Sequence, residues 1–266
     1  MNFLPWLALT AALASPVRDA GRERPASVQK DASRFTEVLL SYGSYLGNRG
    51  AASARPDGSG SANSRTQFFL RDHSEGDLVH FIADGILLSD TQKLYKPTSV
   101  DYYLGLRKQS PAGRFLGVGR EETLPIDRKG FNSRAWDLRL GTAWTAGGAA
   151  GGYVSWFFKN DGRPVRPDQS GDAYLRYSIF LHTTQGPVGF RVDGDFVTDE
   201  RRRRYRPSAL DLSLAATLNW NRWEISAAYK PWITLDRRGI AESWLLAFTF
   251  QFNGGDLWTA IPVSGF

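Results

Sequence analysis

The sequence contains no cysteine, one methionine and three histidines. The lack of cysteine excludes disulfide bonds and thiolate metal sites, and the shortage of histidine leaves few candidates for acid–base catalysis. No stretch approaches the roughly 18 consecutive uncharged apolar residues that a membrane-spanning helix needs. We therefore expect no transmembrane helix, no cofactor and no metal centre.

The first residues have the pattern of an export signal. A short apolar run that begins at Phe3 ends in Ala12-Leu13-Ala14, a small-residue cleavage site. The run is too short to span a bilayer as a helix. We expect residues 1–14 to be a cleaved signal peptide and residues 15–33 to be a flexible periplasmic segment.

The composition favours strands and tight turns, because aromatic residues reach 13% and glycine numbers 27. The net charge of +6 is spread along the chain, which disfavours a nucleic-acid partner. From about residue 34 the side chains alternate between apolar and polar, the period of β-strands. The clearest case is the segment 210–220, in which Leu212 and Leu214 share one face, whereas Ser213 and Thr217 share the other.

About twelve such segments follow one another, and the gaps between them are alternately long and short. Short turns at one rim and long loops at the other are typical of outer-membrane barrels. Tryptophans such as Trp136 and Trp220 lie toward strand ends, where interfacial girdles form. We predict an all-β, antiparallel transmembrane barrel over residues 34–252 with a tail at 253–266; a secreted β-sandwich is the alternative.

The chain thus resembles the bacterial outer-membrane β-barrel superfamily, and its twelve-stranded members in particular. That group includes acidic-oligosaccharide porins, nucleoside channels, outer-membrane phospholipase and lipid A deacylase. The segment from Trp244 to Phe252 resembles the family's final strand, which ends in phenylalanine, although this chain continues to a second one, Phe266. The resemblance is one of pattern, and it implies assembly by the barrel-assembly machinery.

Many charged residues fall on the strand face predicted to line the lumen, which argues for water or dense charge pairing inside. The predicted lining or constriction consists of Arg107, Arg139, Arg176, Arg191, Asp193, Asp195, Asp211, Glu224 and Lys230. The same alternation along the strands places further charged residues on this inner face: Arg65, Arg120, Asp84, Asp101 and Asp137. A basic arc would then face an acidic wall and orient polar or zwitterionic solutes; a salt-bridged plug without conduction is the alternative.

Three further hypotheses concern sites. Arg201, Arg202, Arg203 and Arg204 lie in a predicted outer loop, where they would contact lipopolysaccharide phosphates or anionic solutes, or simply be solvated. The aspartates at 193, 195 and 211 would suit Ca²⁺, although pairing with arginines is the stronger expectation. A hydrolase would have to use a histidine such as His80 with Asp84 and Ser89, but no catalytic motif is present.

The sequence therefore predicts a porin-like channel in the outer membrane of a Gram-negative bacterium, for passive diffusion of small hydrophilic solutes. Its expected partners are those solutes, outer-membrane lipids and lipopolysaccharide. An outer-membrane lipid hydrolase and a non-conducting barrel that serves as an anchor or assembly partner remain alternatives.

Overall fold

The computed structural model describes residues 35–251, apart from residues 56, 74–78, 93–95, 111, 128–131, 145–147 and 238. The predicted signal peptide, the segment 15–33 and the tail 253–266 lie outside the described residues. Among the described residues, no helix is long and apolar enough to cross a membrane.

Twelve antiparallel β-strands account for most of the described chain. Their bounds are β1 Phe35–Arg49, β2 Ala62–His73, β3 Val79–Asp90, β4 Pro97–Gln109, β5 Arg114–Pro125, β6 Ser133–Trp144, β7 Gly148–Asp161, β8 Ala173–Gln185, β9 Val188–Asp199, β10 Arg203–Trp220, β11 Trp223–Thr234 and β12 Ile240–Gln251. Each strand pairs with its neighbours in sequence, and β1 pairs with β12. This closes the sheet and leaves no unpaired edge, which confirms the predicted fold class.

The connections follow the predicted alternation of long and short gaps. Short turns join β8 to β9 and β10 to β11, where Gly186 and Asn221 adopt left-handed backbone angles that suit two-residue hairpins. Long loops cover residues 50–61 and 162–172 at the opposite rim. The predicted outer loop that contains the arginine run was expected to cover residues 198–207, and this prediction is wrong. The connection spans only residues 200–202, because β10 begins at Arg203.

The outer surface of the barrel is apolar. Every strand exposes at least one large apolar side chain: Leu40, Phe68, Phe81, Leu104, Leu116, Leu138, Trp156, Ile179, Phe190, Leu214, Ile225 and Leu246. Water-soluble proteins rarely expose an apolar surface of that extent. The surface therefore faces lipid, and the alternative of a soluble β-sandwich is wrong.

Adjacent leucines on β12 test which face meets lipid. Leu245 is buried inside the barrel, whereas Leu246 is 43% exposed outside. We expect Leu245→Ala to lower the free energy of unfolding by about 2–5 kcal/mol, because it leaves a cavity in packed protein. Acyl chains fill the gap in Leu246→Ala, so its loss should be much smaller. Urea unfolding in lipid vesicles measures both, and equal losses would contradict the assignment of faces.

Candidate functional site in the barrel interior

The structure places all nine predicted lining residues on the strand faces that point into the barrel. Arg139 and Arg176 lie at mid-barrel, and a second group lies toward the short turns, whereas Asp195, Asp211 and Lys230 line a cavity beneath the long loops. The inward placement of Arg120 is wrong. Its guanidinium contacts Glu122 and lies 5.8 Å from the ring of Trp136 on the outer face, because the inward residues of β5 are the odd-numbered ones.

A buried carboxylate holds the mid-barrel group together. Glu121 is 1% exposed and accepts hydrogen bonds from Arg139 Nη2 at 2.6 Å and from Arg176 Nη1 at 3.0 Å. Arg163, from the loop between β7 and β8, reaches the second oxygen of Glu121 at 2.9 Å. Arg139 also contacts Asp137. We call these five residues the central ion cluster. It contains three guanidinium groups and two carboxylates.

Aromatic rings support the arginines of the central ion cluster. The guanidinium of Arg139 lies 3.9 Å from the ring centroid of Tyr103, and that of Arg176 lies 4.9 Å from the centroid of Phe157. Tyr103 fits there because Gly105 and Gly119 carry no side chain: a Cβ at Gly119 would lie 2.2 Å from the Tyr103 ring. Cation–π contacts of this kind stabilise arginines that have left water.

The second group lies toward the short turns. His182 contacts Asp193 at 2.9 Å, and Arg191 forms an ion pair with Glu224. Arg107 stacks on the ring of Phe115 at 4.6 Å. These contacts pair basic with acidic groups, so the expected separation into a basic arc and an acidic wall is only partial.

Two members of the hydrolase constellation considered from the sequence have other polar partners in the structure. Asp84 accepts hydrogen bonds from Gln67 Nε2, and the hydroxyl of Ser89 lies 2.6 Å from that of Ser64. The side chain of His80 lies outside the described residues. Nor do the described residues contain a group of three or more acidic or histidine side chains placed to hold a metal ion.

Small side chains line the inner face across the barrel from the central ion cluster. They belong to β10, β11 and β12 and comprise Ser213, Ala215, Ser226, Ala228, Ala247 and Thr249. We call this surface the small-residue wall. Ala228 and Ala247 are buried together with Leu245 of the same inner face, and Tyr45 and Ala215 pack against this cluster.

A cavity of about 150 Å³ lies between the central ion cluster and the long loops. Its charged lining comes from Arg55, Arg65, Asp101, Arg163, Arg176, Asp195, Asp211 and Lys230. The loops at 50–61 and 162–172 contribute to its wall, and so does Trp232 on β11. Basic and acidic side chains therefore line the same cavity.

Two buried arginines fasten those loops to the strands. Arg55 donates to Asp90 and to Asp127, each at 2.8 Å. Arg166, which is 1% exposed, lies 2.9 Å from Asp199 and also contacts Asp236. Each arginine thus ties its loop to two acidic residues from other parts of the rim.

These ion pairs shift the ionisation of the loop groups. The hydrogen bond to Asp127 raises the pKa of the Arg55 guanidinium above its ordinary value. Likewise, the hydrogen bond from Arg166 lowers the pKa of the Asp236 carboxyl. An aspartate in the unfolded chain has a pKa of about 3.9. The Arg166–Asp236 contact therefore stabilises the loop above that pH. Its contribution is lost as the pH falls through the lowered pKa.

The arginine run is only partly a loop. Arg201 and Arg202 lie in the turn, whereas Arg203 and Arg204 begin β10. Arg201 contacts Asp172 at 2.9 Å, and Arg204 Nε donates to the carbonyl of Glu200 at 3.1 Å. Contact with external anions stays a prediction.

The predicted lining does not include Glu121, Arg55 or Arg166. Glu121 continues the period-two series of Phe115, Gly117 and Gly119, so alternation could have predicted its inward position. The two arginines carried no such signal, because loop residues have no periodicity.

The Arg166 contacts predict how firmly the loop at 162–172 is held. Arg166→Met leaves the buried Asp199 without its partner, so we expect a loss of about 3–5 kcal/mol and faster hydrogen exchange in the loop. Arg237→Met is the control: its ion pair with Asp168 is exposed and should contribute at most about 1 kcal/mol. Urea unfolding in vesicles and hydrogen exchange measure both; equal effects would contradict the role of Arg166.

Comparison with known proteins finds a likeness in structure. No protein-family model matches the sequence, and no curated protein matches it. A solved outer membrane channel from Pseudomonas putida F1 is similar at 13% identity and a TM-score of 0.44, over 87% of this chain and 100% of the other. A chain from work on the in-meso crystallization of membrane proteins is similar at 10% identity and a TM-score of 0.46, over 83% and 86%. At these values the likeness assigns neither a family nor a solute to the chain.

Proposed function

We propose that the protein is a narrow outer-membrane channel for the passive diffusion of small hydrophilic solutes. The observation that carries this proposal is the reversal of polarity across the wall, with an apolar outside and a charged, hydrogen-bonding inside. A dry interior would not tolerate so many ionised groups without a large desolvation cost. Buried atoms such as Asp137 Oδ1 and Ser155 Oγ have no hydrogen-bond partner among the described residues, which fits an interior that admits water.

The proposed path runs along the small-residue wall. The central ion cluster and its aromatic supports fill the half of the barrel formed by β4 to β8, whereas β10 to β12 present small side chains. Solutes would pass between the two, close to guanidinium groups on one side and to Asp195 and Asp211 on the other. A path of this kind selects by size and by charge pattern.

The location and partners of the channel are part of the proposal. Residues 1–14 would direct export from the cytoplasm of a Gram-negative cell, and the apolar surface would lie in outer-membrane lipid. Charged pairs on the outer face near the long-loop rim, Arg49 with Glu242 and Arg134 with Asp161, suit the headgroup region. The arginines at 201–204 would contact lipopolysaccharide phosphates above them.

Ala215 and Ala216 on β10 test the path directly. Ala215 belongs to the small-residue wall, whereas Ala216 is exposed on the outer face. We expect the wild-type protein to conduct ions in planar bilayers and Ala215→Trp to lower its single-channel conductance several-fold, because the indole occupies the path. Ala216→Trp is the matched control and should conduct like wild type. A wild-type barrel without conductance would favour the non-conducting alternative, and equal conductance of both variants would contradict this path.

Selectivity tests the aspartates on β9 and β10. Replacing Asp193, Asp195 and Asp211 together by asparagine removes three negative charges but preserves side-chain size. We expect ion preference to shift toward anions, because the remaining interior charge is more basic. The reversal potential in a salt gradient measures the shift. An unchanged value would mean that these side chains lie away from the conducting path.

A further inference from the structure

The two long loops carry the same sequence motif. Residues 55–62 read RPDGSGSA and residues 166–173 read RPDQSGDA, so six of the eight positions are identical. A second match joins DRKG at 127–130 to DRRG at 236–239. Each motif follows the first strand of a set of six, which is β1 to β6 in one case and β7 to β12 in the other. The pattern indicates an internal repeat of six strands.

The ion pairs of the motif are repeated as well. Arg55 reaches the end of β3 and the connection after β5, whereas Arg166 reaches the end of β9 and the connection after β11. These are the third and fifth strands of each set of six. We call each arginine with its two carboxylates a latch. Gly60 and Gly171 both have left-handed backbone angles, and a Cβ on either would lie 2.6 Å from an atom of its latch, so the two latches share one construction.

An asparagine holds the base of each loop in the same manner. Asn48 Nδ2 donates to the carbonyl of Ala62 at 3.1 Å, and Asn160 Nδ2 donates to the carbonyl of Ala173 at 2.8 Å. The two alanines are the last residues of the two motifs. Each loop is thus closed at its base by an asparagine and fastened at its far side by an arginine.

The junctions between the two sets of six strands match too. β1 pairs with β12 and β7 pairs with β6, each with one register shift. Arg49 and Glu242 form an ion pair across the first junction, and Asp161 and Arg134 form one across the second, so the pair recurs with its charges exchanged. Because six strands separate the two loops in a closed barrel of twelve, the loops stand on opposite sides of the mouth.

The tips of the two loops meet over the cavity. A Cβ placed on Gly58 would lie 2.4 Å from Cγ and 3.6 Å from Cβ of Gln169. These residues occupy equivalent positions in the two motifs, and both have left-handed backbone angles. Glycine at position 58 leaves room for the Gln169 side chain, which also lines the cavity. The loops therefore touch at matching points, each reaching in from its own side of the mouth.

We propose that loops 50–61 and 162–172 are the two leaves of a gate over the cavity, and that the gate opens where the leaves meet, at Gly58 and Gln169. Neither residue carries a charge, so the contact between the leaves is weaker than the buried ion pairs of the latches. Each latch holds its leaf within one set of six strands, and loss of one latch therefore releases one leaf. The strands below form a closed sheet of their own, so a leaf moves without opening the barrel.

The gate goes beyond the proposed function, and only its consequence for solute passage rests on that function. Access to the cavity is measurable without ion current, so the two can fail separately. A barrel without conductance whose cavity becomes accessible on loss of a latch would reject the channel but keep the gate. A conducting barrel whose current does not depend on the leaves would reject the gate but keep the channel.

A disulfide between the leaf tips tests the gate in the full-length protein, which has no cysteine of its own. The 3.6 Å between the two Cβ positions suits a disulfide, whose Cβ atoms lie about 3.5–4.5 Å apart. We expect Gly58→Cys/Gln169→Cys to form this bond and to conduct several-fold less current in planar bilayers than after reduction by dithiothreitol. The two single variants are the controls and should not respond to the reductant. Failure of the bond to form, or equal current through a conducting barrel before and after reduction, would overturn the proposal.

Thiol labelling tests the latches without ion current. Ser243 lines the cavity and is 1% exposed, so Ser243→Cys places a thiol in its wall. Adding Arg55→Met or Arg166→Met should raise the rate of labelling by a charged maleimide at least about tenfold, because loss of a buried ion pair shifts local opening by more than that. Arg237→Met is the matched control, since its ion pair with Asp168 is exposed; the rate should stay within about twofold.

The outcomes of the labelling experiment separate the explanations. Equal rates in all variants would mean that the leaves do not control access to the cavity, and an equal rise in the Arg237→Met control would mean that the loops loosen without a latch; either result overturns the gate. Should an arginine variant fail to fold, Asp127→Asn and Asp236→Asn each remove one carboxylate from a latch and are judged by the same criterion.

Discussion

The interior depends on a single constraint, that the carboxylate of Glu121 neutralises guanidinium groups brought together from three elements. Arg139 comes from β6, Arg176 from β8 and Arg163 from a loop. Ionised groups at such depth are tolerated only when they are paired and hydrogen-bonded. Loss of Glu121 would remove the one carboxylate that all three arginines share, so Glu121 links the loop at 162–172 to the strands and to the aromatic supports.

The two halves of the barrel differ in the size and charge of their inward side chains. The half formed by β4 to β8 is filled by long charged and aromatic side chains, which hold a fixed shape because they are linked to one another. The half formed by β10 to β12 carries mainly small side chains, among which Ala228 and Ala247 pack with Leu245. A path for solutes and a rigid support can thus coexist in a narrow barrel, because each occupies its own side.

The sequence was sufficient for the fold but only partly for the site. Alternation and the lengths of the gaps are repeated in every strand, so errors of a few residues at strand ends did not change the barrel. The site is less tolerant of such errors. On β5 the inward residues are the odd-numbered ones, so Arg120 points outward and Glu121 inward, and an error of one residue in the alternation exchanges the two faces. The burial of Arg55 and Arg166 could not be predicted from the sequence, since it arises from contacts between segments that are distant in sequence.

The long loops at 50–61 and 162–172 form the ceiling of the cavity, and they would link the binding of a solute to its passage. A solute in the cavity would lie below loops that Arg55 and Arg166 fasten to the rim, so its exchange with the outside would depend on the motion of those loops. Conduction needs binding that is strong enough for entry and weak enough for release. Each further ion pair in the ceiling would slow exchange without changing the contacts to the solute. In the proposed channel, the loop arginines would therefore influence the rate of passage.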